Sequence, residues 1–235
     1  MSITILTIFP EYVQSCLSYS IIGRAIENNL IEINVINIRD FALDKHKMTD
    51  DSPYGGGAGM VMKPEPIFNA FDSISGEYHS ILMTPQGKRL DQDKVIELSD
   101  HKNLVLLCGH YEGVDQRVRD ELIDEELSIG DYILTGGELP ALVLVDAISR
   151  YIPEVLGNKE SLLEESFTDD MLEYPNYTRP SIYRGLEVPK VLLSGNHQEI
   201  AKWRRQKSLE KTKRVRQDLI NNNENSEKRW QNGFN

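Results

Sequence analysis

Residues Ser128 to Pro140 read Ser-Ile-Gly-Asp-Tyr-Ile-Leu-Thr-Gly-Gly-Glu-Leu-Pro, and the spacing of the three glycines governs how the rest of the chain is read. Gly130 on one side and Gly136-Gly137 on the other bracket a short apolar piece, Tyr132 to Leu134, which reads as strand-like. A helix is expected from Glu138, because an acid and a proline in a first turn suit the positive dipole end and an N–H that has no intrahelical partner. Two turns without Cβ atoms, next to a helix N-terminus, make a cradle of free N–H groups. Taken alone, Gly-Gly marks a tight strand-turn-helix connection. A cradle needs support from the rest of the chain.

Two further strand ends supply it. Leu104 to Cys108 is a continuous apolar run, as expected of a strand buried on both faces, and it ends in Gly109-His110-Tyr111-Glu112-Gly113. A strand over Ser80 to Met83 stops at Thr84-Pro85-Gln86-Gly87. Around them, strands and helices alternate. A strand over Ile3 to Phe9 leads into one helix from Pro10 carrying Val13, Leu17, Ile21, Ile22, Ala25 and Ile26, and Ile31, Ile33 and Val35 alternate as a second strand. Further helices are expected from Pro66 through Phe71, over Leu90 to Leu98, over Val114 to Ile123, and from Glu138 to Arg150. This order implies an α/β domain with a mainly parallel sheet. Ligands in such sheets sit beyond the carboxyl ends of the strands, so the three loops are expected to converge on one pocket.

At 235 residues the chain can bury a core, and it suits one large domain or a large and a small one. With 40% hydrophobic and 27% charged residues it is expected to pack rather than stay disordered. No apolar run approaches the roughly 20 residues that span a bilayer. No basic flank or small-residue cleavage site follows Met1, so the chain reads as cytoplasmic, without a membrane segment. Cys16 and Cys108 lack metal-ligand spacing and read as buried thiols. The net charge of −11 argues against a surface coated in nucleic acid. Yet Lys202, Arg204, Arg205, Lys207, Lys211, Lys213, Arg214 and Arg216 crowd one stretch against Glu210 alone. Such a local excess suits a polyanion, with the cations supplying salt-dependent affinity and positioning.

The polar segment Arg39 to Asp51 runs into Pro53-Tyr54-Gly55-Gly56-Gly57-Ala58-Gly59-Met60. This is neither a dinucleotide fingerprint nor a P-loop, and it reads as a lid or a substrate-facing loop. Residues 1–157 are taken as the α/β domain, 158–175 as an acidic, flexible linker, and 176–235 as a small helical, basic domain. In that last part Asn196 caps a helix with Glu199 three residues on, and Ile200, Trp203 and Leu209 mark its apolar side. The Asn/Glu-rich stretch Asn221 to Asn235 is expected to fray.

Six motifs in register, PYGGGAGM (53–60), LCGHYEGVDQRV (107–118), SIGDYILTGGELPA (128–141), ESF (165–167), YPNYTRP (174–180) and LLSGNHQEIAKWR (192–204), closely resemble the bacterial tRNA (guanine-N1)-methyltransferases of the TrmD type, within the SPOUT class. The match runs from Ile5 to about Arg214. The resemblance implies a trefoil-knotted α/β domain that binds S-adenosylmethionine. It also implies a homodimer with shared active sites and a tRNA methylated at N1 of the guanosine just 3′ of the anticodon. It assigns the methyl donor to Met83, Thr84, Pro85, Gly109, Tyr111, Glu112, Ser128, Ile129, Gly130, Tyr132, Leu134, Gly136, Gly137 and Pro140. Asp50, Gly59, Arg179, His197, Lys202 and Arg205 fall to the tRNA, with Asp50 matching a residue that reads the neighbouring guanosine.

Arg150 matches the family's arginine that stabilises charge on guanine O6. In the family an aspartate directly before Ser-Phe is the base; here that position is Glu165, whose extra methylene moves the carboxylate, and Asp169 is the alternative. Ala58 stands where the family's glycine loop usually has proline. Magnesium is associated with the family, although the sequence offers no compact carboxylate cage. Two other readings remain open at this level: a non-catalytic RNA-binding protein, and a SPOUT enzyme acting on the ribose 2′-hydroxyl or on ribosomal RNA.

Overall fold

Alternation of apolar side chains sets the two faces of the central sheet. The computed structural model describes residues 1–156, 165–167 and 170–221, and the chain divides into two units, Met1–Gly157 and Asn158–Asn235. In the first unit, β1 (Ser2–Thr7), β2 (Glu32–Asn37), β5 (His79–Arg89), β6 (Asn103–Cys108) and β7 (Glu125–Ser128) form a sheet in the order β2-β1-β6-β5-β7, every pairing parallel. Ile3 and Ile5 of β1, Ile81 and Met83 of β5, and Leu104, Leu106 and Cys108 of β6 point to one face. Leu6, Leu82, Val105 and Leu107 point to the other.

Helices α1 (Pro10–Leu17), α2 (Ser20–Glu27), α4 (Gln92–Ser99) and α6 (Glu138–Ser149) cover the first face through Val13, Ala25, Leu98 and Leu144. Helices α3 (Pro64–Asp72) and α5 (Gln116–Leu122) cover the second through Ile67, Phe71 and Val118. The result is the expected α/β fold with a mainly parallel sheet. A short antiparallel pair, β3 (Asp50–Asp51) and β4 (Val61–Met62), ties the base of the glycine-rich loop. No described helix is long and apolar enough to cross a membrane.

Several expectations need correction. The single helix from Pro10 is two helices, broken where the Ser18 hydroxyl turns back to the Gln14 carbonyl (2.9 Å) and Ser20 takes a φ of 62°, a competition with helical bonding typical of serine. The strand ending at Met83 resumes after a bulge: Leu127 of β7 pairs with both Met83 and Lys88, so residues 84–87 loop out of the ladder. A Cβ on Gly87 would overlap the Glu126–Leu127 backbone, which is why glycine sits there. Tyr132 to Leu134 is irregular, and the strand is Glu125–Ser128 instead, hidden in the sequence by its acidic residues. Cys108 is buried, but Cys16 is exposed on α1.

In the second unit β8 (Ile182–Tyr183) and β9 (Leu186–Glu187) form a hairpin, followed by α7 (His197–Val215) and α8 (Gln217–Asn221). The Asn196 side chain accepts from the Glu199 N–H at 3.3 Å, as the capping pattern requires. The packed side of α7 is the expected one only in part: Ile200 and Trp203 are half-buried. Ser208 and Thr212 are buried while Leu209 is exposed, because the Thr212 hydroxyl donates to the Ser208 carbonyl (2.7 Å) and accepts from the Leu172 N–H (2.9 Å).

Candidate active site

The three loops expected to converge do so. After β7 the chain returns to the end of β6, crossing the end of β5 that lies between them. There Gly137 donates its N–H to the Gly109 carbonyl at 2.8 Å and Gly136 bridges His110. The approach is close enough that a Cβ on Gly137 would lie 2.8 Å from Cys108 Cα. The loops enclose a cavity of about 310 Å³, and all fourteen residues that the resemblance assigns to the methyl donor line it.

The glycine-rich loop joins the same wall. Glu112 donates its N–H to the Met60 carbonyl and Met62 to the Gly113 carbonyl, both at 2.9 Å. Gly59 packs so tightly on the Glu112 side chain that a Cβ would overlap it. Positive φ at Gly55, Gly56, Gly57 and Gly59 makes this loop a glycine path.

Sequence reading missed several residues that complete the cavity. Arg119 of α5 donates to the Glu126 carboxylate at 2.7 and 2.5 Å and to Gln86 Oε1 at 2.7 Å, bracing the bulge that carries Thr84 and Pro85. Behind Gly136 lies a buried polar cluster. Glu138 is only 5% exposed; its Oε1 accepts from the Thr7 hydroxyl at 2.8 Å and its Oε2 lies 3.7 Å from His110 Nε2. Burial, with the Glu138 charge adding to it, pushes the Cys108 thiol well above its ordinary pKa. The one sequence signal for Glu138 was its place in a helix first turn, and that reads as capping.

The remaining candidates lie elsewhere. Arg150 is half-buried at the C-terminal end of α6, beside a groove shared with Gln92, Leu139 and Val143. Asp50 is half-buried in β3. In the second unit Glu165 is half-buried in a turn whose Phe167 N–H bonds to the Met171 carbonyl (2.8 Å) and whose Ser166 hydroxyl accepts from the Glu173 N–H (3.0 Å). Leu172, between those two, is the residue pinned to Thr212, so the turn is referred to α7. Asp169 lies outside the described residues. Arg179, His197, Lys202 and Arg205 are exposed, while Arg204 lies over the Tyr174 ring at 4.5 Å. No group of three or more His, Cys, Asp or Glu side chains able to hold a metal occurs among the described residues.

A family model described as tRNA (Guanine-1)-methyltransferase TrmD matches residues 1–222. A protein of Thermosipho africanus is 54% identical over 223 residues, 94% of this chain and 90% of that protein. One of Carboxydothermus hydrogenoformans is 54% identical over 221 residues, 94% of this chain and 87% of its own length. One of Geobacter sulfurreducens is 52% identical over 223 residues, 94% and 91% respectively. All three carry the name tRNA (guanine-N(1)-)-methyltransferase.

Proposed function

The chain belongs to the tRNA (guanine-1)-methyltransferase TrmD family, and from that premise we propose that it methylates N1 of the guanosine immediately 3′ of the tRNA anticodon, with S-adenosylmethionine as donor. The observation that carries the reading is the family match together with the single cavity formed by the three loops.

The cavity suits this donor. Its volume of about 310 Å³ lies at the small end of ligand sites. Its wall from Ile129 to Gly137 offers backbone N–H and C=O groups, Pro85, Leu134 and Pro140 offer apolar surface for a purine, and the acid Glu112 favours a cation. When bound, S-adenosylmethionine supplies a sulfonium-activated methyl group. The route of the chain from β7 past β5 to the end of β6 is consistent with a trefoil, and the knot is part of the proposal. So are the homodimer with shared active sites, the tRNA-binding role of the second unit, and a cytoplasmic location. Among the described residues no group of three or more His, Cys, Asp or Glu is placed to hold magnesium.

The remaining steps fall to this chain's residues. Guanine N1 carries a proton and is a poor nucleophile until it leaves. Glu165 takes that proton; a positioned base is worth roughly 10² to 10⁴ in rate. Negative charge then spreads to O6, where Arg150 stabilises it. Asp50 accepts hydrogen bonds from the adjacent guanine, and the cations of α7 hold phosphates. Purified protein is expected to transfer labelled methyl to tRNA carrying guanosine 3′ of the anticodon and not to the same tRNA with adenosine there. Donor binding without transfer favours an RNA-binding role instead. Glu165→Gln is expected to abolish turnover at unchanged tRNA affinity. If only Asp169→Asn does so, the base is Asp169.

A further inference from the structure

The buried cluster behind Gly136 has no part in the chemistry above, yet it stands one residue's thickness from the cavity. A Cβ on Gly136 would lie 2.5 Å from His110 Nε2 and would overlap Glu138 Oε2, so that carboxylate stands directly against a glycine that lines the cavity, beside the His110 ring that lines it too. Glu138 is held in place on both sides. Thr7, itself fully buried, donates to Oε1 at 2.8 Å while its hydroxyl oxygen accepts the Phe9 N–H at 2.9 Å. The first turn of α6 adds a favourable dipole. The other ionisable groups at the cavity are disposed differently: Arg119 is tied to Glu126, Glu112 is an exposed acid, and the His110 ring lies 3.7 Å from Glu138 Oε2.

From this we infer that Glu138 is a specificity-determining residue, whose buried charge acts through Gly136 to favour the cationic donor S-adenosylmethionine over its neutral product S-adenosylhomocysteine. The inference rests on reading the cavity as the donor pocket. A carboxylate shielded from water interacts with a ligand charge more strongly than one in solvent. The two ligands differ by one methyl group and one positive charge at sulfur. A buried anion next to the site therefore adds a preference based on charge to any that the methyl group's shape supplies. The benefit is release of product after each turnover.

The test is calorimetric binding of both ligands to the intact protein, with no turnover involved. Wild type is expected to bind S-adenosylmethionine, and sinefungin with its ammonium at the same position, several-fold more tightly than S-adenosylhomocysteine. Glu138→Gln keeps the size of the side chain and an acceptor for the Thr7 hydroxyl while removing the charge. It is expected to shrink the ratio of the two dissociation constants by threefold or more. Thr7→Val loosens the side chain but keeps the charge, and is expected to weaken both ligands together with the ratio retained, which a purely structural role for Glu138 would also do in the glutamine variant. An unchanged ratio in Glu138→Gln overturns the inference, as does a ratio that collapses only in Glu112→Gln. Should Glu138→Gln fail to fold, equal affinity of wild type for charged and neutral ligands overturns it equally. If neither ligand binds wild type, it is the donor reading that fails.

Discussion

Gly137→Ala probes the point where the loop from β7 meets the end of β6. The glycine has φ −82° and ψ −4°, allowed for any residue, so alanine meets no backbone strain. What it meets is the neighbouring chain: Cβ would lie 2.8 Å from Cys108 Cα and 2.9 Å from Gly109 N. Carbon atoms rest about 3.5–4.0 Å apart, so the loop must retreat by roughly 0.7–1.2 Å and stretch the 2.8 Å bond from Gly137 N–H to the Gly109 carbonyl. Overpacking of this kind costs about 1–3 kcal/mol. At about 2–4 °C per kcal/mol for a unit of this size, the thermal midpoint is expected to fall by roughly 2–12 °C. S-adenosylhomocysteine affinity, read by calorimetry, is expected to fall about tenfold, equivalent to ~1.4 kcal/mol, because the displaced groups line the cavity. Gly137 is also the N-cap of α6, where serine serves better than alanine. Gly137→Ser carries the same Cβ and is expected to behave like alanine. A midpoint within about 1 °C of wild type in Gly137→Ala, or rescue by serine, refutes the steric argument.

Gly87→Ala is expected to be at least as damaging, since its Cβ would overlap Glu126 and Leu127 backbone; a melt unchanged from wild type would contradict the bulge. Burial alone would raise the Asp124 carboxyl, but hydrogen bonds from the Ser80 N–H and hydroxyl hold it below its ordinary value. A depressed carboxyl contributes stability above the unfolded value of about 3.9, lost as the pH falls through the folded one. Urea melts are therefore expected to show Asp124→Asn less stable than wild type at neutral pH, with a shallower loss toward pH 3; an identical slope would contradict the assignment. A thiol reagent is expected to label Cys16 in the folded protein and both cysteines after denaturation, and prompt labelling of Cys108 would contradict its burial.

How far these features could be read from the sequence depended on what kind of signal carried them. Gly109, Gly136 and Gly137 are legible because a missing side chain at a strand end has few uses, and β6 because an apolar run from Leu104 to Cys108 fits nothing exposed. β7 was not legible. Two of its four residues are glutamates that serve as partners for Lys94 and Arg119, and such pairing leaves no periodic trace, so the neighbouring Tyr132 to Leu134 took its place. The resumption of β5 past Met83 likewise depends on a partner strand. Thr212 was passed over in favour of Leu209 because the value of a buried hydroxyl lies in the Leu172 N–H it satisfies, forty residues away in sequence. Glu138 shows the same limit at the site itself: its burial against Thr7 and His110 is a long-range fact.

The most direct measurement is nucleoside mass spectrometry of tRNA after incubation with the protein and S-adenosylmethionine. The expected product is 1-methylguanosine at the position immediately 3′ of the anticodon, lost with Glu165→Gln. Formation of 2′-O-methylguanosine, or no methylation while the donor remains bound, would contradict the proposed reaction.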